Sequence, residues 1–187
     1  INVSKNPGPS AWNELLPERE PLPSLSSNLT SDWLIVGAGF AGLSAARRVQ
    51  QEAPNDSVVI LDAQGLASGP AGRNSGFMID LPHDLASDDY GGQIENDRKT
   101  IRQNRYAINF AKETVEALQL PKECFKEIGK INGAATAKGM RHNHDYAKHL
   151  SKLGEKYDYL DANSMKDITG TNYYKGGLFT PGTVMIQ

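Results

Sequence analysis

The chain has 187 residues, a length that suits one domain or one domain with part of a second. Hydrophobic residues make up 39% and charged residues 22%, a globular balance that excludes a disordered or collagen-like chain. With 20 Lys and Arg against 22 Asp and Glu the net charge is −2, which leaves no basic excess for a nucleic-acid backbone.

Residues 1–30 are rich in Pro and Ser, which excludes a long helix. They are expected to form an extended arm over a folded body, anchored by Trp12, Leu15 and Leu16. Ile1–Thr30 shows no basic region followed by an apolar one, the pattern of a secretory leader. Asn2-Val3-Ser4 and Asn28-Leu29-Thr30 match the glycosylation acceptor pattern and, without a leader, are read as chance matches. The longest apolar run, Trp33 to Ala46, is shorter than the ~20 residues of a membrane span. One cysteine, Cys124, allows no internal disulfide and fits a reducing compartment. A cytoplasmic location is the expectation.

Trp33–Val36 reads as a strand, and Gly37-Ala38-Gly39-Phe40-Ala41-Gly42 follows at once. Leu43 to Ala53 reads as a helix closed by Pro54. Ser57–Leu61 is a second strand, with Asp62 at its end. Such apolar strands predict a parallel sheet buried on both faces. The pattern is a βαβ unit with a dinucleotide fingerprint. Gly37 permits the tight turn, Gly39 lets a pyrophosphate approach the backbone, and Gly42 lets helix and strand pack closely. The amides near Phe40 and Ala41 at the helix start face the phosphates. Asp62 lies 20 residues beyond Gly42, where a carboxylate accepts from a ribose hydroxyl. NAD and FAD both satisfy this motif.

Ala67-Ser-Gly-Pro-Ala-Gly-Arg-Asn-Ser-Gly-Phe-Met78 is a second glycine-rich segment, with one cation, Arg73. Its small side chains and free amides suit a second stretch of backbone laid along a long ligand, and Arg73 suits a pyrophosphate or the pyrimidine end of a flavin. A surface loop would share the glycines.

Three stretches carry a resemblance: Leu34 to Ala46, Leu61-Asp62-Ala63, and Ala67 to Phe77. They resemble the start of the glycine/D-amino-acid oxidase family of FAD enzymes, within it most the gamma-glutamylputrescine oxidase-like amine oxidases. Tyr174 to Gln187 resembles a further family segment, so the resemblance runs over residues 31–187. It implies an α/β fold: a Rossmann-like FAD-binding domain with the beginning of a β-sheet substrate domain. The division implied is an arm at 1–30, an FAD-binding domain at 31–124 and the opening of a substrate domain at 125–187. It implies that Phe40, Ala41, Asp62, Ala63, Arg73, Asn74, Ser75 and Gly76 line FAD, beside Gly37, Gly39 and Gly42 of the fingerprint. Arg73 to Met78 contain no His or Cys, so covalent attachment of the flavin from this segment is not expected. Asp62 stands where Glu is commoner in the family.

Further along, Ile94, Ile101, Ile108 and Val115 recur every seven residues, with Ala111 and Leu118 between. This predicts a core helix over 94–120, ended by Pro121. Cys124 to Ala137 reads as strands punctuated by Gly129 and Gly133. Arg141 to Leu153 reads as a helix with Tyr146, Leu150 and Leu153 on one side. Lys175 to Gln187 reads as strand, Pro181-Gly182 turn, strand. His142, His144 and His149 are read as solvent-facing and no metal site is assigned. His83 is read as a surface-loop residue, with a place at the flavin pocket as the rival. No nucleophile elbow or Walker loop occurs.

The resemblance implies an oxidoreductase acting on the C–N bond of an amine or amino acid. The substrate gives a hydride to flavin N5, and the imine then hydrolyses. No catalytic residue is assigned, because the cofactor carries the hard chemistry. Two rivals stand: an NAD-dependent dehydrogenase, and a non-catalytic FAD-binding subunit or fragment of a larger complex. Family members are longer, so the other half is expected as a continuation or a second chain. The strand Thr183 to Gln187 is expected to pair with that half.

Overall fold

The computed structural model describes residues 8–17, 20, 22–82 and 94–186. They fall into two compact units, Ile1–Ser75 and Gly76–Gln187.

In the first unit, a single helical turn, α1 (Ala11–Glu14), is capped by Ser10, whose hydroxyl accepts from the Asn13 amide at 3.2 Å. Then come β1 (Trp33–Val36), α2 (Phe40–Glu52) and β2 (Val58–Leu61). The strands pair in parallel, from Trp33 opposite Val58 to Val36 opposite Leu61. Their starts are pinned by Asp32, whose carboxylate accepts from the Ser57 amide at 2.8 Å and the Ser57 hydroxyl at 2.7 Å. Those bonds hold the Asp32 carboxyl below its ordinary value. Helix α2 starts three residues before the predicted Leu43, because Gly39 is its N-cap and the rest of the glycine motif is already helical.

The sheet departs from the expectation of two covered faces. Helix α2 packs on the Ile35 face. On the other face Leu34, Val59 and Leu61 share a groove of about 320 Å³ with Leu25 and Leu29 of the arm. The cover is partial: Leu34 is 60% and Val36 82% exposed. One helix covers one face of a two-stranded sheet, and a thin arm covers only part of the other. The anchoring of the arm also differs in part. Trp12 does tie it down, its indole Nε1 donating to the Asn74 carbonyl at 2.6 Å. Leu15 and Leu16 are exposed and anchor nothing.

The second unit contains β3 (Phe77–Met78), α3 (Ile94–Ala117), β4 (Phe125–Glu127), β5 (Lys130–Ala134), α4 (Ala137–Leu153), β6 (Asp158–Asp161), α5 (Ala162–Thr169), β7 (Gly176–Thr180) and β8 (Val184–Ile186). Its two antiparallel sheets have the orders β3-β8-β4 and β5-β7-β6. The run β4–β5 lies antiparallel to β7–β8, with Phe125 opposite Ile186 and Ala134 opposite Gly176. Pro181-Gly182 is therefore a bend between two ladders, not a hairpin between partners. Strand β8 is the middle strand of its sheet, with Phe77 and Met78 on one side and β4 on the other. This corrects the expectation that Thr183 to Gln187 pairs with the other half, as continuation or second chain: across Val184–Ile186 the strand is paired on both sides within the described residues.

Helix α4 starts at Ala137, four residues before the predicted Arg141, because Thr136 caps it: the Thr136 hydroxyl accepts from the Gly139 amide at 3.1 Å. It ends at Gly154, left-handed with φ of 78°. The core joins α3, α4 and β7 through Ile101, Tyr146, Ala147, Leu150 and Leu178, with Leu81 beside them. Tyr146 is fully buried and its hydroxyl donates to the Pro82 carbonyl at 3.1 Å. The stripe on α3 holds at Ile101 and Ile108 but not at Leu118, which is exposed beyond the helix end. His149 corrects a second expectation. It is buried, and its Nε2 lies 2.7 Å from Asp97 Oδ2 of α3. Strands β3 and β6 and helix α5 were not expected from the sequence.

Candidate functional site

The glycine turn between β1 and α2 is built by backbone geometry. Gly37 has φ of +102°, a left-handed conformation that favours glycine, and its amide donates to the Leu61 carbonyl at 2.6 Å. Gly39 is the extended N-cap of α2 and offers no side chain to cap it. The first amides of the helix, including those of Phe40 and Ala41, have no intrahelical acceptor and lie at the positive end of the helix dipole. A Cβ built on Gly37 would meet nothing within 4 Å, and one on Gly39 only the Ala71 Cβ at 3.9 Å. Gly42 is the opposite case: a Cβ there would lie 1.9 Å from the Gly37 carbonyl oxygen and 3.3 Å from Ile35 Cγ2. Gly42 is where helix, turn and strand meet, and the open side of the turn is at Gly37 and Gly39.

Asp62 follows β2 directly. Its Oδ2 accepts from the Ala38 amide at 2.7 Å and its Oδ1 from the Gln64 amide at 2.9 Å. These two backbone bonds, Ala38 first, hold its carboxyl below the ordinary value. Asp62 therefore closes the glycine turn onto the end of β2, a role not read from the 20-residue spacing. Each oxygen keeps a second lone pair for a ligand hydroxyl. Ala63, next in the chain, is exposed.

The second segment is a compact loop around one 3₁₀ turn, Pro70–Arg73. Ala67 has φ of 60°, and a Cβ on buried Gly72 would lie 2.0 Å from the Ala67 carbonyl oxygen. Gly72 is a structural residue that sequence reasoning did not single out, since nothing local separates it from its neighbouring glycines. Arg73 directs its guanidinium to backbone: Nε donates to the Ser68 carbonyl at 3.2 Å and Nη2 to the Gly8 carbonyl. The Asn74 amide group donates to the Ala71 carbonyl. Ser75 is exposed. Gly76 begins the second unit, with φ of 79° and its carbonyl accepting from the Ile186 amide at 2.8 Å. His83 lies outside the described residues.

Within the first unit, two contacts gather the expected residues. Ala38 to Asp62 joins the turn to the end of β2, and Gly39 to Ala71 sets the second loop beside the turn. The donor set is a row of backbone amides, a carboxylate and open space over two glycines, which fits a pyrophosphate attached to a ribose. Among the described residues no cluster of His, Cys, Asp and Glu could hold a metal ion. None of the described helices is long and apolar enough to cross a membrane.

Comparison with known proteins gives the same direction. Residues 32–187 match the DAO family, described as FAD dependent oxidoreductase. The chain is 26% identical over 162 residues to the gamma-glutamylputrescine oxidoreductase of Escherichia coli, covering 84% of this chain and 37% of that protein. It is 23% identical over 191 residues to the probable oxidoreductase OrdL of Rhizobium meliloti, covering 95% of this chain and 41% of that one. It thus spans about two fifths of the length of these relatives. Among solved structures, glycine oxidase from Geobacillus kaustophilus superposes with a TM-score of 0.67 at 16% identity, over 83% of this chain and 40% of that one. The L-amino acid deaminase of Proteus myxofaciens gives 0.65 at 14% identity, over 89% and 36%. The structural neighbours establish the α/β fold, and the family match over 32–187 establishes that this chain belongs to the DAO family of FAD-dependent oxidoreductases.

Proposed function

We propose that this chain supplies the FAD-binding part of an oxidoreductase acting on the C–N bond of an amine or amino acid, working in the cytoplasm. Residues 31–124 form the cofactor domain in this reading, and 125–187 open the substrate domain. The observation that carries it is the juxtaposition of the two glycine-rich segments at Gly39 and Ala71, beside the uncapped start of α2. NAD binding would use the first segment alone and leaves the second without a role. The reading is further supported by the relatives, one of which is named for gamma-glutamylputrescine and another for glycine.

The residues divide the work as follows. Phe40 and Ala41 donate their amides to the pyrophosphate, and Gly37 and Gly39 leave room for it. Asp62 accepts from the ribose and holds the turn closed at Ala38. Ala63 and the loop Arg73–Gly76 lie along the remainder of the cofactor, with the Arg73 side chain bracing the loop from Ser68 and Gly8. FAD, when bound, supplies the acceptor for a hydride from the carbon beside the substrate nitrogen. The remaining part of the enzyme, as continuation or second chain, supplies the groups that hold the substrate.

The test is the visible spectrum of the complete protein. A yellow holoprotein whose flavin goes into the supernatant on acid precipitation supports the reading. A colourless protein that binds NAD overturns it, and a flavin that stays with the precipitate overturns its non-covalent part.

A further inference from the structure

Around the bend at Pro181-Gly182 lie buried polar groups that have no hydrogen-bond partner among the described residues. Strand β3 pairs Met78 with Val184, so the chain beyond it brings Asp80 alongside Gly182. A Cβ on Gly182 would lie 2.0 Å from Asp80 Oδ2 and 2.7 Å from Oδ1, so the glycine makes the space that the carboxylate fills. Asp80 is 1% exposed. Its Oδ2 accepts from Arg105 Nε at 3.2 Å and Nη2 at 3.0 Å, and its backbone carbonyl accepts from Asn104 Nδ2 at 3.1 Å. Arg105 is held in turn by Glu155, to which Nη1 donates at 3.1 Å.

Among the described residues, Asp80 Oδ1 is buried with no hydrogen-bond partner. The hydroxyls of Thr180 and Thr183, which flank the bend and are 0% exposed, have none among the described residues either. Lys130 stands opposite Thr180 in the ladder. Among the described residues its ammonium has no ion-pair partner. Burial draws it below the ordinary lysine value while the Asp80 charge pulls the other way. Buried polar groups in native proteins are paired with protein or with ordered water. The charges here already balance, Arg105 and Lys130 against Asp80 and Glu155, which argues for a neutral ligand. Among the described residues no group of His, Cys, Asp and Glu here could hold a metal ion.

We propose that the bend holds one buried water, which donates to Asp80 Oδ1 and to one threonine hydroxyl and accepts from the other hydroxyl and from Lys130 Nζ. Four bonds saturate a water and give each of the four groups a partner. The water then joins β5, the bend and the chain after β3 at one point.

A crystal structure of the complete protein, at a resolution that shows ordered water, is the direct test. Density within hydrogen-bond reach of Asp80 Oδ1 and at least one of the two hydroxyls is expected. Lys130 Nζ seated directly on Asp80 Oδ1, or no density there, overturns the proposal. Thr180→Val, Thr183→Val and the double variant give a second test by equilibrium unfolding. With a shared water each single change raises the unfolding constant about tenfold, and the double variant falls short of the product. Unchanged or raised stability in either single variant overturns the proposal, since deleting an orphan hydroxyl costs nothing.

Discussion

A methyl group added at Gly39 would meet only the Ala71 side chain, 3.9 Å away; one added at Gly182 would land 2.0 Å from the Asp80 carboxylate. The two glycines belong to different units and do different work. In the first unit glycine keeps backbone amides open, and the apolar sheet beside them is half covered, with Val36 82% exposed. In the second unit glycine makes room for neighbouring side chains, and Tyr146, Leu150 and Leu178 are fully buried. In the proposed function the first unit presents backbone to a ligand; the second packs side chains around a core.

The contrast can be broken most forcefully in the second unit. Leu150→Ala removes a fully buried side chain from the centre of the core and should cost about 2–5 kcal/mol in denaturant unfolding. A loss below ~1 kcal/mol would mean that the core is not packed as described.

In the first unit the two helix-side glycines should separate. Gly42→Ala forces a methyl onto the Gly37 carbonyl, a backbone clash, and should cost about 1–3 kcal/mol of stability along with flavin retention. Gly39→Ala meets no clash in the protein. Its melting temperature should stay within a degree or two, roughly, while FAD affinity falls about ten- to hundredfold, because the methyl occupies the phosphate approach. Equal behaviour of the two variants in calorimetry and FAD titration would contradict the division of roles.

Asp62→Ala should weaken FAD binding about tenfold in the same titration, with Glu52→Ala as an unchanged surface control. The effect has two parts: a lost ribose acceptor and a turn no longer tied at Ala38.

The smallest effect is expected in acid. Asp32, Asp62 and the α5 cap Asp161 all have carboxyls held below the ordinary 3.8 by hydrogen bonds. Because the folded values are depressed, their stabilisation is present above 3.8 and is lost as pH falls through the lower, folded values. Melting temperature should therefore drop below pH 3.8, and Asp161→Asn should flatten that drop slightly.

Much of the first unit was legible because its logic is local. A strand, three glycines and an acid at fixed spacing occupy one stretch of chain, and the structure realises them as β1, α2 and β2. What was not legible depends on distant partners. The Asp97 that buries His149 is 52 residues away in sequence, so the helix pattern alone placed that histidine in solvent. Asp80 takes its meaning from Gly182 and Arg105, which only the register of β3 on β8 and the packing of α3 bring to it. Strand β6, Asp158–Asp161, is short and mostly exposed, and so carries no apolar pattern to read. The Asp62 bond to the Gln64 amide was available in principle, since a carboxylate accepting from an amide two residues on is a local turn signal, but its hold on Ala38, 24 residues away, was not.

In the proposed function FAD lies on the first unit's backbone and not on the second unit's core. Amide hydrogen exchange of the complete apoprotein, with and without FAD, tests it residue by residue. FAD is expected to slow exchange at Phe40 and Ala41 and across Gly69–Ser75, and to leave the buried amides of α4 and β7 unchanged. Slowing confined to α4 and β7, with Phe40 and Ala41 unaffected, would contradict it.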